Sequence, residues 1–491
     1  MLCAKDGKIV TDIYLPNSEW NDELIYYKQV EAAINYGEPI GYYGYNESHA
    51  EVSSFATWGP AVLIPWIILG KLFGWHFYSP MLANLFFIMC SFGIFAISAK
   101  PNWKQTIAFL FMNVLFLPLP RYILSSMPEV YAYGFSVIIL SLSISCLSRF
   151  KWYKIFLMLA LIMFLTLMRP YMLALILFPG YLVWKKNKLA EIGVVACGLG
   201  SVAAYVVYTN KLCADYFLDS VNLIWLETFL NNRFSVGVEV LYWTLVKSVK
   251  EYIFTLSEGI FYRIPRGAYC VTFVLVFILL FTIVLKRKKD DEYKKNLNLL
   301  WITVTTFLGM FFAVLLFYPQ TQPGAKHLVV FVFLGVFVLI MWPSKFYIRE
   351  FLFAVCCLYL FFIPTEYAQD FYYDMPYYSK NEIDEYQYWE TVFDALEADN
   401  QGSDYYDNTI AWIMTDYGSD AYYVTPFGYL YAAPEGYGIN CCMIDYFLQN
   451  YEQLQSKYVF VSAGGNVDSI YTEKGIKELG RTNSAVLYQI R

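Results

Sequence analysis

Apolar positions in this chain fall into long runs, broken by short clusters of basic and polar residues. Ten runs approach the roughly 17–25 apolar residues that a bilayer-spanning helix needs. They are 79–99, 105–120, 129–148, 154–169, 170–184, 190–208, 269–285, 297–317, 325–342 and 349–365. The short pair 154–169 and 170–184 meets at Arg169-Pro170, which predicts a tight hairpin. Residues 60–74 are too short and too interrupted to span, and predict an amphipathic helix lying in the interface. The stretch 209–268, with spaced aromatics at Trp225, Phe229, Tyr242, Trp243 and Tyr252, predicts further interfacial helices.

Beyond residue 365 the pattern changes. Residues 382–399 have helical period, 409–415 read as a buried strand, 457–463 as a second, 469–479 as a helix and 484–490 as a third strand. Alternating strands and helices predict a small α/β layer. The organisation is therefore three-part: an N-terminal segment 1–78, a membrane core 79–365 and a C-terminal domain 366–491. The fold class is a polytopic α-helical membrane protein of about ten transmembrane helices with a small external α/β domain.

Composition agrees. Of 491 residues, 58% are apolar, 20% aromatic and 15% charged, against about 25% charged in ordinary soluble chains. Mean hydropathy is +0.42. A disordered chain would be poor in aromatics. A nucleic-acid binder would carry a basic stripe, and here the net charge is −6.

The net charge hides an asymmetry that sets topology. Residues 366–491 hold 20 Asp/Glu and 6 Lys/Arg, residues 79–365 hold 12 and 25, and residues 1–78 hold 9 and 4. Sixteen basic residues sit in alternate short connections, among them Lys100, Arg149, Lys185 and Arg287; the opposite short connections carry only Arg121, Arg169 and Lys326. The positive-inside rule puts the first set in the cytoplasm. The N-terminal segment, loop 209–268 and the C-terminal domain then face outside, at a cell (plasma) membrane. Residues 1–60 hold neither a spanning helix nor a signal peptide. Either helix 79–99 carries this segment across, or a helix precedes Met1; the second is the expectation.

Several chemistries lack their parts. The chain has three histidines, His49, His76 and His327, and no HExxH, P-loop or GxSxG. The ten cysteines form no CxxC, so a zinc ribbon is not indicated. Gly464-Gly465 is not a GxGxxG and reads as a turn. What remains is a set of ionisable groups near the outer membrane face, where charge is costly and tends to be functional. Asp22 and Glu23 open a helix after Asn21, where the helix dipole favours carboxylates. They serve either as helix decoration or as a general base at the water–membrane boundary. Glu129 opens the helix after Met127-Pro128 and either caps it or touches a sugar. Asp22, Glu23, Glu47 and His49 could supply oxygen and nitrogen ligands to a divalent metal, although their spacing matches no zinc pattern.

The run Asp22-Glu23-Leu24-Ile25-Tyr26, followed by Trp58-Gly59-Pro60 through Pro65 to Leu72-Phe73-Gly74, resembles the GT-C superfamily of integral-membrane glycosyltransferases. That superfamily includes protein O-mannosyltransferases, aminoarabinose lipid transferases and Rgt-type galacturonosyltransferases. An acidic pair followed by Tyr opens their first external loop, and a Pro-bearing amphipathic helix closes it. The likeness is strongest over 20–130 and extends as topology alone to about 365. This sequence departs from the family in lacking the helix that normally precedes the acidic pair.

The resemblance implies transfer of a sugar from a polyprenyl-phosphate donor to an extracytoplasmic glycan, lipid or protein, with inversion. Asp22 and Glu23 would be the catalytic carboxylates. Tyr26, Glu47, His49 and Glu129 would contact substrate, and Arg121, Arg169, Lys326 and His327 would hold the donor phosphate or anchor anionic headgroups. Asp22, Glu47 and His49 would be the ligands if a metal binds. The lipid phosphate leaves as a stable anion, so one base suffices, contributing about 10²–10⁴-fold. Two other readings stand beside it: a polysaccharide polymerase or ligase, close in chemistry, and a lipid-linked glycan transporter, which would need inverted repeats and broken helices not evident here.

Overall fold

The computed structural model describes residues 22–47, 54–55, 60–115, 122–123, 126–213, 224–261, 380–396, 405–417 and 421–491, with scattered positions between 274 and 341. In chain order the N-terminal half contains α1 (Asp22–Asn35), β1 (Gly44–Tyr45), α2 (Ile64–Phe73), α3 (Ser79–Ala99), α4 (Trp103–Leu115), α5 (Glu129–Ser148), α6 (Trp152–Met168), α7 (Leu177–Lys186), α8 (Ala190–Leu212), α9 (Ile224–Leu230) and α10 (Phe234–Phe261). Among the described residues, α3, α5 and α8 are long and apolar enough to cross a membrane. The predicted spans 79–99 and 129–148 coincide with α3 and α5. The span 190–208 runs on to Leu212, and the expected interfacial stretch contains α9 and the 28-residue α10. The expected span 349–365 lies outside the described residues.

Helix α5 is the axis of the bundle. It packs along α3 and against α6 and α7, and is buried on nearly every face, so its residues show almost no amphipathic period. Its serines turn inward on their own helix: Ser141 and Ser143 donate to the carbonyls of Val137 and Ile139 at 2.6 and 2.8 Å, which satisfies hydroxyls that apolar surroundings would otherwise orphan. Asn84 on α3 ties irregular chain to the bundle, accepting from Trp66 Nε1 at 3.2 Å and donating to the Tyr122 carbonyl at 3.3 Å. Helix α2 buries Trp66 while exposing Ile64, Ile68, Leu72 and Phe73, as an interfacial helix would. The hairpin at Arg169 is asymmetric. Pro170 opens a 3₁₀ segment (Pro170–Ile176) before α7 begins, so the second arm is not one straight helix as the apolar run predicted.

The C-terminal domain comprises α11 (Lys380–Asp394), β2 (Thr409–Ile413), the hairpin β3 (Thr415–Tyr417) and β4 (Tyr422–Val424), β5 (Gly438–Cys442), α12 (Ile444–Asn450), β6 (Tyr458–Ser462), α13 (Asn466–Glu473), β7 (Lys477–Arg481) and β8 (Ala485–Gln489). Its main sheet has the order β1-β5-β2-β6-β8-β7, parallel across the first four strands and antiparallel across the last three. The three predicted strands are β2, β6 and β8. The helix expected over 469–479 stops at Glu473, because Gly475 takes φ +65°, and the chain continues as β7.

One edge strand comes from the other end of the chain. Gly44 and Tyr45 pair with Asn440 and Cys441 of β5. The N-terminal segment and the C-terminal domain are thus one folded body. Helix α1 lies between that body and the bundle: Tyr26 and Val30 belong to the bundle's core, while Leu24, Ile25 and Tyr27 belong to the core beneath the sheet. Residues Glu23 to Ala33 are all buried.

Candidate active site

Three elements bring their ends together at the bundle face that carries α1. Helix α5 begins there with Glu129, α6 ends there with Arg169, and α1 begins there with Asp22 and Glu23. Arg169 Nη2 donates to Glu129 Oε1 at 2.7 Å, and the two side chains are 4% and 3% exposed. Glu129 sits in the first turn of α5, where the helix dipole favours its negative charge. Arg169 is therefore buried with a counter-ion. A cavity of about 10 Å³, lined by Glu129, Arg169, Tyr171 and Val330, adjoins the pair; that is room for about one water. The second carboxylate oxygen of Glu129, Oε2, is buried with no hydrogen-bond partner among the described residues.

Tyr26, fully buried one turn into α1, completes the group. Burial first, then the Asp22 carboxylate, pushes its phenol well above the ordinary tyrosine range; Arg169 pulls the other way, and Glu129 adds to Asp22. Asp22, Arg169 and Glu129 thus all act on the buried Tyr26 phenol. Glu23 is also buried. Asp22 is the half-exposed member and sits at the rim. Such a set combines a half-exposed carboxylate with a buried ion pair beside space for about one water.

Other expected residues lie elsewhere. Glu47, with φ +41°, turns into the C-terminal domain, where its oxygens accept from the backbone N–H groups of Gln455 (2.9 Å) and Ser456 (2.8 Å) and from the Ser456 hydroxyl. These bonds make it a tie between the N-terminal segment and the C-terminal domain. Among the described residues no three His, Cys, Asp or Glu converge as a metal site would require. Arg121, His49, Lys326 and His327 lie outside the described residues.

Sequence reasoning missed the second buried pair on α1. Lys28, fully buried, donates to the Ala433 carbonyl at 2.6 Å and pairs with Glu31. Burial raises the Glu31 carboxyl and Lys28 partly offsets this. The i,i+3 spacing of Lys28 and Glu31 was visible, but it marks solvent-exposed helices as readily as buried ones. In the C-terminal domain, Asp416 Oδ2 accepts from Val467 N at 2.9 Å at the start of α13. Gly464-Gly465 forms a turn, and a carboxylate takes the N–H at the helix start after it.

No family model matches the chain, and no curated protein matches it. Among solved structures it is similar to ArnT from Cupriavidus metallidurans in the apo state, with 8% identity over 97% of this chain and 94% of that one and a TM-score of 0.44.

Proposed function

We propose that this protein is a membrane glycosyltransferase that moves a sugar from a polyprenyl-phosphate donor to an extracytoplasmic hydroxyl-bearing acceptor. The observation that carries the reading is the convergence of Asp22 with the buried Arg169–Glu129 pair at one end of the bundle. In this mechanism Asp22 takes the proton of the acceptor hydroxyl as its oxygen attacks the anomeric carbon. The bond from that carbon to the phosphate oxygen breaks, and the phosphate leaves with the electron pair. A single displacement of this kind inverts the anomeric centre. Arg169 supplies positive charge where the leaving phosphate develops its own, in surroundings dry enough to strengthen it. Glu129 holds the guanidinium in place and offers Oε2 to a sugar hydroxyl.

The wrong-side location of the basic residues belongs to the same reading. Arg121, Arg169 and Lys326 oppose the positive-inside bias, and an anionic lipid phosphate on that face gives them a common purpose. The test is release of polyprenyl phosphate from a panel of synthetic polyprenyl-phosphate hexoses and pentoses, followed by mass spectrometry with the purified chain in detergent and membrane lipid extract as acceptor. Turnover of at least one donor that falls by one to two decades in Lys326→Ala supports it, since a charge-assisted contact contributes roughly 1.5–3 kcal/mol. No turnover across the panel, or turnover indifferent to both Lys326→Ala and Arg169→Ala, would refute it.

A further inference from the structure

Helix α1 meets the bundle and the C-terminal domain along two seams. At about 3.6 residues per turn, Asp22, Tyr26, Gln29 and Ala33 fall on one stripe, flanked by Val30 of the bundle core and Ile25 of the sheet core. The seam on the other side is filled by rings: Tyr27 stacks on Trp75 with centroids 5.4 Å apart and meets Tyr431 at 4.9 Å. The first seam carries polar groups instead. Gln29, one turn beyond Tyr26, is fully buried, and neither its amide oxygen nor its amide nitrogen has a hydrogen-bond partner among the described residues. Such an amide has given up water without replacement, which costs the fold stability. Its side chain leans toward the start of the helix, so the amide covers the turn that holds Tyr26, on whose phenol Asp22, Arg169 and Glu129 act. A neutral amide offers two N–H donors and a carbonyl acceptor. That set complements adjacent hydroxyl groups, which both donate and accept.

We infer that Gln29 is a specificity-determining residue that reads hydroxyl groups of the sugar carried by the lipid phosphate. Its N–H groups donate to one hydroxyl oxygen, and its carbonyl accepts from a neighbouring hydroxyl. In the single displacement the acceptor and the phosphate lie on opposite sides of the anomeric carbon, so the sugar ring stands between Asp22 and Arg169 and reaches over Tyr26 to Gln29. The inference rests on the transfer reading and deepens it: Arg169 meets the phosphate and Gln29 the sugar.

Equilibrium binding to the full chain in detergent tests this without requiring turnover. The probes are sugar-free polyprenyl phosphate and polyprenyl-phosphate glucose, galactose and xylose. At least one sugar lipid should bind the parent about tenfold tighter than the sugar-free lipid, as two neutral hydrogen bonds allow. Gln29→Met keeps the length of the side chain and removes its polar atoms. It should abolish that preference and leave binding of the sugar-free lipid unchanged. Arg169→Ala should weaken all four lipids alike. Without ligand, Gln29→Met should unfold at or above the temperature of the parent, because an apolar chain in place of an unpartnered amide removes a desolvation cost. An amide that served only the fold would give the opposite shift. No binding of any of the four lipids would refute the transfer reading and this inference with it. A sugar preference that is absent from the parent or survives Gln29→Met, or a Gln29→Met chain that unfolds more easily than the parent, would overturn this inference alone and leave the transfer reading standing.

Discussion

At the scale of single residues, the buried Arg169–Glu129 pair carries both fold and site, and the two roles can be separated. Removing one partner of a buried pair leaves an uncompensated charge, typically at a cost of about 3–5 kcal/mol. Arg169→Ala should therefore lower the thermal unfolding temperature in detergent. The double substitution Arg169→Met with Glu129→Met should recover much of that loss, because matched apolar side chains often replace a buried pair without penalty. Transfer should stay lost in the double variant. A double variant that is stable and active would show the pair to be packing alone. Asp468 makes a second prediction, in the C-terminal domain. Burial favours its neutral form, but Arg481, Tyr488 and the Gly464 N–H outweigh that and hold the carboxyl down at about 2. A carboxyl depressed in the folded state contributes stability that is present above its unfolded value of 3.8 and disappears as pH falls toward about 2. Asp468→Asn should be less stable than the parent at pH 6, and the gap should narrow progressively below pH 4 in thermal melts. A gap independent of pH would contradict this linkage.

At the scale of elements, the chain leading into β1 runs very close to the start of β5. Gly41 holds φ +91°, and a Cβ on Gly438 would lie 2.3 Å from Tyr42 N. Backbone meets backbone there, so nothing flexible can yield. Gly438→Ala should cost about 1–3 kcal/mol, the usual range for forced overpacking. It should also expose the chain around residues 36–43 to limited proteolysis. A protease pattern identical to the parent would mean that the strand is not held by this approach. Elements of this kind explain what the sequence could and could not reveal. Helices α3 and α5 were legible because runs of twenty or so mostly apolar residues with at most one charge have few other uses. β1 is two residues long, and β5, Gly-Ile-Asn-Cys-Cys, is buried throughout and lacks the alternation that marks a half-buried strand. β7, Lys-Glu-Leu-Gly-Arg, is mostly polar and edge-exposed, so it read as the end of a helix. Helix α1 hides its importance for a related reason: with cores on two sides it has no amphipathic stripe to notice.

At the scale of the whole molecule, Asp22, Glu129 and Arg169 all act on Tyr26, on the helix α1 that lies between the bundle and the sheet of the C-terminal domain. The charge pattern along the sequence predicted that the N-terminal segment and the C-terminal domain share a membrane face. It could not predict that Arg169 would meet Glu129, because the two lie 40 residues apart on different helices. Single-cysteine labelling in intact cells should find position 22 and the exposed position 417 accessible from outside, and position 287 only after permeabilisation. A C-terminal domain labelled only after permeabilisation would place the acceptor side, and the proposed transfer, in the wrong compartment.

The central claim is that the acidic start of α1 is the base of a sugar transfer, and a single-turnover rate tests it most directly. With donor bound in excess, Asp22→Asn removes the proton acceptor but keeps the shape of the helix start. The account predicts a rate lower by about 10²–10⁴-fold, with donor affinity and thermal stability near those of the parent. A transfer rate within severalfold of the parent would contradict it and leave Asp22 as nothing more than the first residue of a buried helix.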